Sequence, residues 1–243
     1  GLLGPNGSGK TTMMRCICGL LSPEKGSIEC DCENIGYLPQ QFGAMKSLTV
    51  YETMRYFATL KKIPKSNQDN EIRYCIDLVN LSDKIKNKVG SLSGGMVRRL
   101  GIAQAIMGNP EIVLFDEPTA GLDPEERVRF KSLLRKIKND KTIIISTHIV
   151  SDVKSICDEI VIINEGRNVV QGTCSDITSI GNEKVFLLDE EYENNLEGNY
   201  YVKDRISKDN KNYIIVLSSN FIEQGVSINA DIEDGYLCAL KDI

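Results

Sequence analysis

The sequence predicts an α/β fold with a mainly parallel sheet, an inserted helical subdomain and a small α+β C-terminal appendage. Three observations predict it. Gly4-Pro5-Asn6-Gly7-Ser8-Gly9-Lys10-Thr11-Thr12 has the form G-x-x-x-x-G-K-[ST] and stands between the apolar pair Leu2-Leu3 and a helical run. The run Ile112-Val113-Leu114-Phe115 is apolar on both faces, as a central parallel strand requires, and ends in Asp116 and Glu117. A helical stretch then leads to a second buried strand at residues 142–147, which makes a βαβ unit. The first motif makes the core a phosphate-loop NTPase core.

Each element follows in order. Residues 11–20 form the helix after the loop, with Gly19 and Pro23 marking its end. Residues 27–32 and 35–38 read as short strands flanking a turn. The helical subdomain occupies about residues 42–108. In it Val50, Met54, Phe57 and Ala58 fall at i, i+4, i+7 and i+8, and Ile63-Pro64 ends that helix. A second helix at about 69–81 puts Ile72, Cys75, Ile76 and Val79 on one face, and Ser93 caps a helical run at 97–107. Asp123 followed by Pro124 is an N-cap with proline at the first helical position, opening a helix to about Lys138. Residues 149–157 read as a helix, and 159–163 with 168–171 as a hairpin around Glu165-Gly166. The main domain spans 1–180. Over 181–243 the strand candidates at 185–188, 200–202 and 213–217 lie among Asn, Asp and Lys, and 232–240 suggest a short terminal helix.

The bulk numbers exclude several classes. A chain of 243 residues with net charge −5 lacks the Lys/Arg excess of a sequence-blind nucleic-acid binder, so no nucleic acid is expected as partner. No apolar run approaches the roughly 18–20 residues that span a bilayer, so any membrane role runs through a partner. Cys16/Cys18 and Cys30/Cys32 are C-x-C pairs rather than zinc-type C-x₂-C, and there is one histidine among the 243 residues. With eight cysteines and a nucleotide loop, the chain is expected to keep reduced, mostly buried thiols. Gly1 is not methionine, and Leu2-Leu3 are short for a strand, which averages about 5–6 residues; a sequence truncated at its N-terminus is expected.

The chemistry-bearing residues point the same way. In a glycine loop, backbone N–H groups turn inward to a polyphosphate and the following helix directs its positive end there. Lys10 supplies a point charge for the outer phosphates and Thr11 a hydroxyl for Mg²⁺. Asp116 and Glu117 stand at the carboxyl end of a buried strand, where ligands of open α/β sheets bind. Asp116 is placed to hold Mg²⁺ through water, and Glu117 to polarise an attacking water as general base. In isolation such a pair could equally be solvated turn carboxylates. Ser93, Gly94 and Gly95 open a second anion-binding helix terminus. Two such termini with one loop lysine suit a dimer in which each chain completes the other's site; a plain helix start is the alternative. His148 follows the strand at 142–147, and an imidazole there could contact the γ-phosphate. Gln40 could reach Mg²⁺ or water with its amide oxygen.

Taken in order, GPNGSGKTT, Gln40, LSGGM, IVLFDEP, AGLD and His148 resemble the ATP-binding cassette (ABC) ATPases over about residues 2–172. LSGG sets that family apart among phosphate-loop ATPases. The stretch from DEPTAGLDP through STHIVSDVKSICDEIVIINEGRNVVQGT resembles cytosolic subunits of bacterial drug or peptide exporters. The resemblance implies that residues 4–12 are the Walker A loop and that Gln40 couples the site to a membrane partner. It further implies that Ser93, Gly94 and Gly95 bind the γ-phosphate of the opposite protomer. Asp116 becomes the Walker B aspartate, Glu117 the catalytic base, Asp123 the dimer-crossing D-loop residue and His148 the switch histidine. Met96 stands where many members have glutamine. The family's adenine-stacking aromatic precedes the loop, so no adenine contact is assigned to this chain.

The reading is an ATPase subunit, with ATP and Mg²⁺, that powers an exporter by ATP-driven closure of a homo- or heterodimer. Its partners are a second ABC protomer and a separate transmembrane permease, on the cytoplasmic face of the membrane. The alternative is a soluble ABC-type regulator acting on ribosomes or DNA, disfavoured by the acidic charge and the single cassette. Glu117 and His148 weigh against a non-hydrolysing module, and LSGG against a kinase.

Overall fold

A computed structural model describes residues 1–30, 34–138 and 141–243. In chain order they form β1 (Leu2–Leu3), α1 (Lys10–Ile17), β2 (Ile35–Leu38), α2 (Val50–Leu60), α3 (Lys65–Leu78), α4 (Gly94–Ile106), β3 (Ile112–Asp116), α5 (Pro124–Ile137) and β4 (Thr142–Thr147). There follow α6 (Val150–Ile156), β5 (Ile160–Asn164), β6 (Arg167–Gly172), α7 (Cys174–Ser179), β7 (Val185–Asp189), β8 (Tyr200–Lys208), β9 (Lys211–Ser218), β10 (Val226–Ser227) and α8 (Ile232–Lys241). The chain divides into two compact units, Lys10–Thr147 and the combination of Gly1–Gly9 with His148–Ile243.

The first unit is built on three parallel strands with β3 in the middle, where Leu114 stands between Tyr37 of β2 and Ile144 of β4. Val113, Leu114 and Phe115 are 0% exposed, which is what an apolar run covered on both faces produces. On α5, Phe130, Leu133, Leu134 and Ile137 form the buried stripe, and Phe130 meets Phe115 edge-on at 5.7 Å. The start of α5 follows the sequence reading. Asp123 Oδ1 accepts from the Glu126 N–H at 2.8 Å, and Pro124 fills a first-turn position whose N–H has no helical partner.

The helical segment differs from expectation in its bounds. Thr49 and Glu52 cap α2 reciprocally. Its buried face is Val50, Thr53, Met54 and Ala58, with Phe57 turned toward Phe42. Pro64 occupies the N-cap of α3, so that helix starts at Lys65 rather than near residue 69. Lys61 satisfies the last carbonyls of α4, donating to Gln104 at 2.7 Å, Ala105 at 3.3 Å and Met107 at 2.7 Å. The strand expected at 27–32 is not formed over 27–30, where Ile28 is 44% exposed with no sheet to bury it; residues 31 and 32 lie outside the described residues. Among the described residues six cysteines are free thiols, of which Cys75 and Cys238 are buried. Cys30 is disulfide-bonded, against the expectation of reduced thiols throughout.

In the second unit β1 pairs in parallel with β5, Leu3 beside Ile162, and β5 turns back into β6. The turn has positive φ at both Glu165 (49°) and Gly166 (74°), the hairpin geometry that matches strand twist. Leu3, Val150, Val153, Ile160, Ile162, Ile177, Ile232 and Tyr236 share one core. The terminal helix α8 is thus packed with β1, α6 and β5 rather than standing apart. The strands expected beyond residue 181 form an antiparallel sheet in the order β10-β7-β9-β8. Its cores centre on Phe186, Leu188, Ile214 and Val216 and on Val185, Leu217 and Cys238. α7 and β10 had no counterpart in the sequence reading.

Burial pushes the Lys61 ammonium down to about 8. An unfolded lysine keeps its proton to about pH 10.4, so between these values the unfolded chain binds more protons and stability rises with pH. The stability of the native protein minus that of Lys61→Met should therefore increase from about pH 7.5 to about pH 9.5. Urea midpoints of both proteins at the two pH values check this; a flat or falling difference contradicts it.

Candidate functional site

The loop is shaped first by what it must avoid. A Cβ at Gly4 would lie 2.1 Å from the Ile163 carbonyl oxygen, so β5 admits only glycine there. Gly7 and Gly9 have φ of 82° and 101°, a region that side chains disfavour. The Ser8 N–H donates to Pro5 at 3.2 Å and the Ser8 carbonyl accepts from Gly166 at 3.0 Å. The Ser8 hydroxyl is buried with no hydrogen-bond partner among the described residues. Asn6 and Gly7 are exposed and Pro5 is half-buried.

The chain passes from Gly9 straight into α1 at Lys10, with Thr12 exposed in its first turn. Within the unit Lys10–Thr147, four of the expected residues meet at the exit of β3. Asp116 is 0% exposed, and Lys10 and Glu117 are each 5% exposed. The Thr11 hydroxyl donates to Asp116 Oδ2 at 2.8 Å and the Ser146 hydroxyl to Oδ1 at 2.5 Å. Lys10 Nζ lies 3.8 Å from Glu117 Oε1. Burial lowers the Lys10 pKa from its ordinary value, opposed by the charges of Glu117 and then Asp116. Burial, with Asp116 adding to it, pushes the nearby Cys18 thiol up to about 11. Hydroxyl and carboxylate oxygens side by side form a hard donor set, which fits Mg²⁺.

Glu117 has φ of 47°, uncommon for a residue with a side chain and found preferentially where surrounding structure over-determines it. Its N–H donates to both the Ser146 hydroxyl at 3.0 Å and the Ser146 carbonyl at 3.2 Å. On its other side Arg98 reaches the carbonyls of Asp116, Glu117, Pro118, Pro39 and Gln40.

The remaining residues are placed elsewhere. Ser93 caps α4, its hydroxyl accepting from the Met96 N–H at 3.2 Å, and Ser93 and Gly94 are exposed. Gly95 lies against Glu126 of α5, which leaves little room for a side chain. Asp123 is engaged as the α5 cap. Gln40 is exposed and joined to the site through its backbone carbonyl. His148 is the exposed residue that follows β4 and opens the other unit. Arg98 and Ser146 were missed in the sequence. The only signal for Arg98 is a cation inside a helix that turns out to be buried nearly all round; for Ser146 it is a hydroxyl at the end of an apolar strand.

A glycine loop leading into a helix and a buried Asp-Glu pair at a parallel strand's exit define a phosphate-loop nucleotide-binding protein. Comparison narrows the class: the family described as "ABC transporter" matches residues 1–120. YxlF of Bacillus subtilis, described as an uncharacterized ABC transporter ATP-binding protein, is 32% identical over 238 residues, covering 95% of this chain and 80% of that protein. The Nod factor export ATP-binding protein I of Burkholderia lata is 35% identical over 187 residues, covering 71% of this chain and 60% of that protein. Two cyanobacterial relatives, from Nostoc and Synechocystis, are spanned over 56% and 55% of their length. Among solved structures, the dimeric post-hydrolysis state of the ATP-binding cassette MJ0796 bound to ADP and Pi has a TM-score of 0.64 at 26% identity. It covers 71% of this chain and 83% of that one. The chain belongs to the family of ABC transporter ATP-binding proteins.

Ser146→Ala removes a donor from a fully buried carboxylate and an acceptor from the Glu117 N–H. The loss should cost about 1–3 kcal/mol, read as a lowered urea midpoint with unchanged slope; an unaltered midpoint means the hydroxyl does not support Asp116.

Proposed function

We propose that the chain is the ATP-binding and hydrolysing subunit of a membrane exporter, working through ATP-driven closure of a dimer. The observation that carries this reading is the meeting of Lys10, Thr11, Asp116 and Glu117 in one buried cluster. Residues 4–12 would cradle the triphosphate, with backbone N–H groups and the α1 terminus supplying the field and Lys10 the point charge. Thr11 and Asp116, with the Gln40 amide, would hold Mg²⁺. When bound, that ion neutralises charge on the β- and γ-phosphate oxygens.

Glu117 would take the proton of the attacking water as general base. Lys10 now faces Glu117; the phosphates of ATP compete for that ammonium and release the carboxylate for its task. His148 would contact the γ-phosphate. Most of the rate would come from positioning and from electrostatic stabilisation of the transferred phosphoryl group.

The exposed N-terminus of α4 supports the dimer. Ser93 and Gly94 are exposed and Gly95 half-buried, and the amides of this helix start would suit a γ-phosphate of another chain. Asp123 would cross the dimer next to them. The related cassette bound to ADP and Pi is described as dimeric. The Burkholderia relative named for Nod factor export supports an exporter. No helix among the described residues is long and apolar enough to cross a membrane, so a separate permease subunit would tether the chain to the cytoplasmic face. In this reading residues 1–180 are the ATPase domain and 181–243 an appendage to it.

In the full-length protein with its partners, Glu117→Gln should lower turnover at least about 100-fold while an ATP-bound dimer accumulates. Phosphate release and size-exclusion chromatography in ATP check the two parts. Turnover at the native rate would falsify Glu117 as the base.

A further inference from the structure

Arg98 has no part in the function proposed above, yet its side chain makes five hydrogen bonds at the site. It lies in α4, five residues after Ser93, and is 9% exposed. Its guanidinium is saturated. Nε donates to the Pro118 carbonyl at 3.1 Å. One terminal nitrogen donates to Pro39 and Gln40, each at 2.9 Å, and the other to Asp116 at 2.7 Å and Glu117 at 2.6 Å. The acceptors are all main-chain carbonyls. They come from two segments, the one after β2 and the one after β3. Because the donors form a rigid planar fork, five simultaneous bonds set both segments in one orientation relative to α4. Burial draws the Arg98 pKa down, and the nearby charges of Asp116 and Glu117 oppose that.

The Glu117 residue is held from both ends: its N–H by Ser146 and its carbonyl by Arg98. Between those two anchors it keeps a φ of 47°. A spacer that merely filled space would need neither the number of bonds nor their division between two segments.

We propose that Arg98 is a positioning residue that holds Glu117 and Gln40 in register with α4, so that the helix contacting a partner's nucleotide also sets this chain's own catalytic carboxylate. The proposal rests on the reading of Glu117 as base and of α4 as the γ-phosphate-contacting helix. An ATP engaged at Ser93 then acts on Glu117 through one rigid cation rather than through the loops between them.

The test compares native protein, Arg98→Met, Arg98→Lys and Glu117→Gln as full chains with their partner subunits. It measures kcat and KM for ATP, and nucleotide bound per chain with a fluorescent ATP analogue. Arg98→Met should lose at least about thirtyfold in kcat with KM and binding stoichiometry within about threefold of native. Arg98→Lys keeps the charge without the fork and should still lose at least about tenfold in kcat. A kcat within about threefold of native in Arg98→Met, or a loss that only tracks fewer nucleotide-binding chains, overturns the proposal. If Arg98→Met does not fold, Arg98→Lys decides: native kcat there means charge suffices and overturns the positioning role. Glu117→Gln separates the two failures. Its retaining native turnover removes the base assignment. Its loss of turnover beside active Arg98 variants removes the positioning role alone.

Discussion

The exit of β3 is the constraint on which the unit Lys10–Thr147 depends. An apolar strand covered on both faces ends in two carboxylates, and the covering that stabilises the strand leaves Asp116 at 0% and Glu117 at 5% exposure. An unpaired carboxylate there would be costly. The surroundings answer it with the hydroxyls of Thr11 and Ser146 on Asp116 and the ammonium of Lys10 near Glu117. Lys10 and Thr11, both proposed for ATP chemistry, are therefore among the groups that make this strand exit tolerable.

The second constraint is main-chain. Where a strand ends abruptly under a helix, its last carbonyls lose ladder partners and cannot reach water. Arg98 supplies donors to three of them and to two more after β2. Lys61 does the same for the end of α4. A buried cation, Arg98, and a half-buried one, Lys61, thus hold α4 through backbone carbonyls rather than carboxylates. This suits a helix whose exposed N-terminus is proposed to meet a partner's nucleotide, since it ties the helix to both neighbouring loops.

Much of the fold was legible because it depends on local rules. The Asp123-Pro124 start of α5, the run of β3, the bounds of β4 and the hairpin about Glu165-Gly166 each follow from capping, burial pattern or turn chemistry within a few residues. The misses have the opposite character. The segment 27–30 has a strand-like pattern but no neighbour to pair with, and α3 starts at Lys65, directly after Pro64, with no side-chain cap to mark that start in the sequence. The short helix α7 has no long apolar period to announce it, and is held by its Thr173 cap and by Ile177 in a core with α8.

The sequence by itself determined the family and singled out the residues proposed for the phosphate loop, the carboxylate pair and the signature, because those motifs are contiguous and their spacing is their chemistry. Only the tertiary structure decided that Lys10 faces Glu117, that Thr11 and Ser146 share Asp116, and that Arg98 binds five carbonyls from two segments. Those bonds join residues up to 105 positions apart, and a single chain of letters holds no record of which distant donors will be buried against which acceptors. That pairing is fixed by the packing of strands and helices, which closes the site and leaves each buried polar group to find the partner within reach.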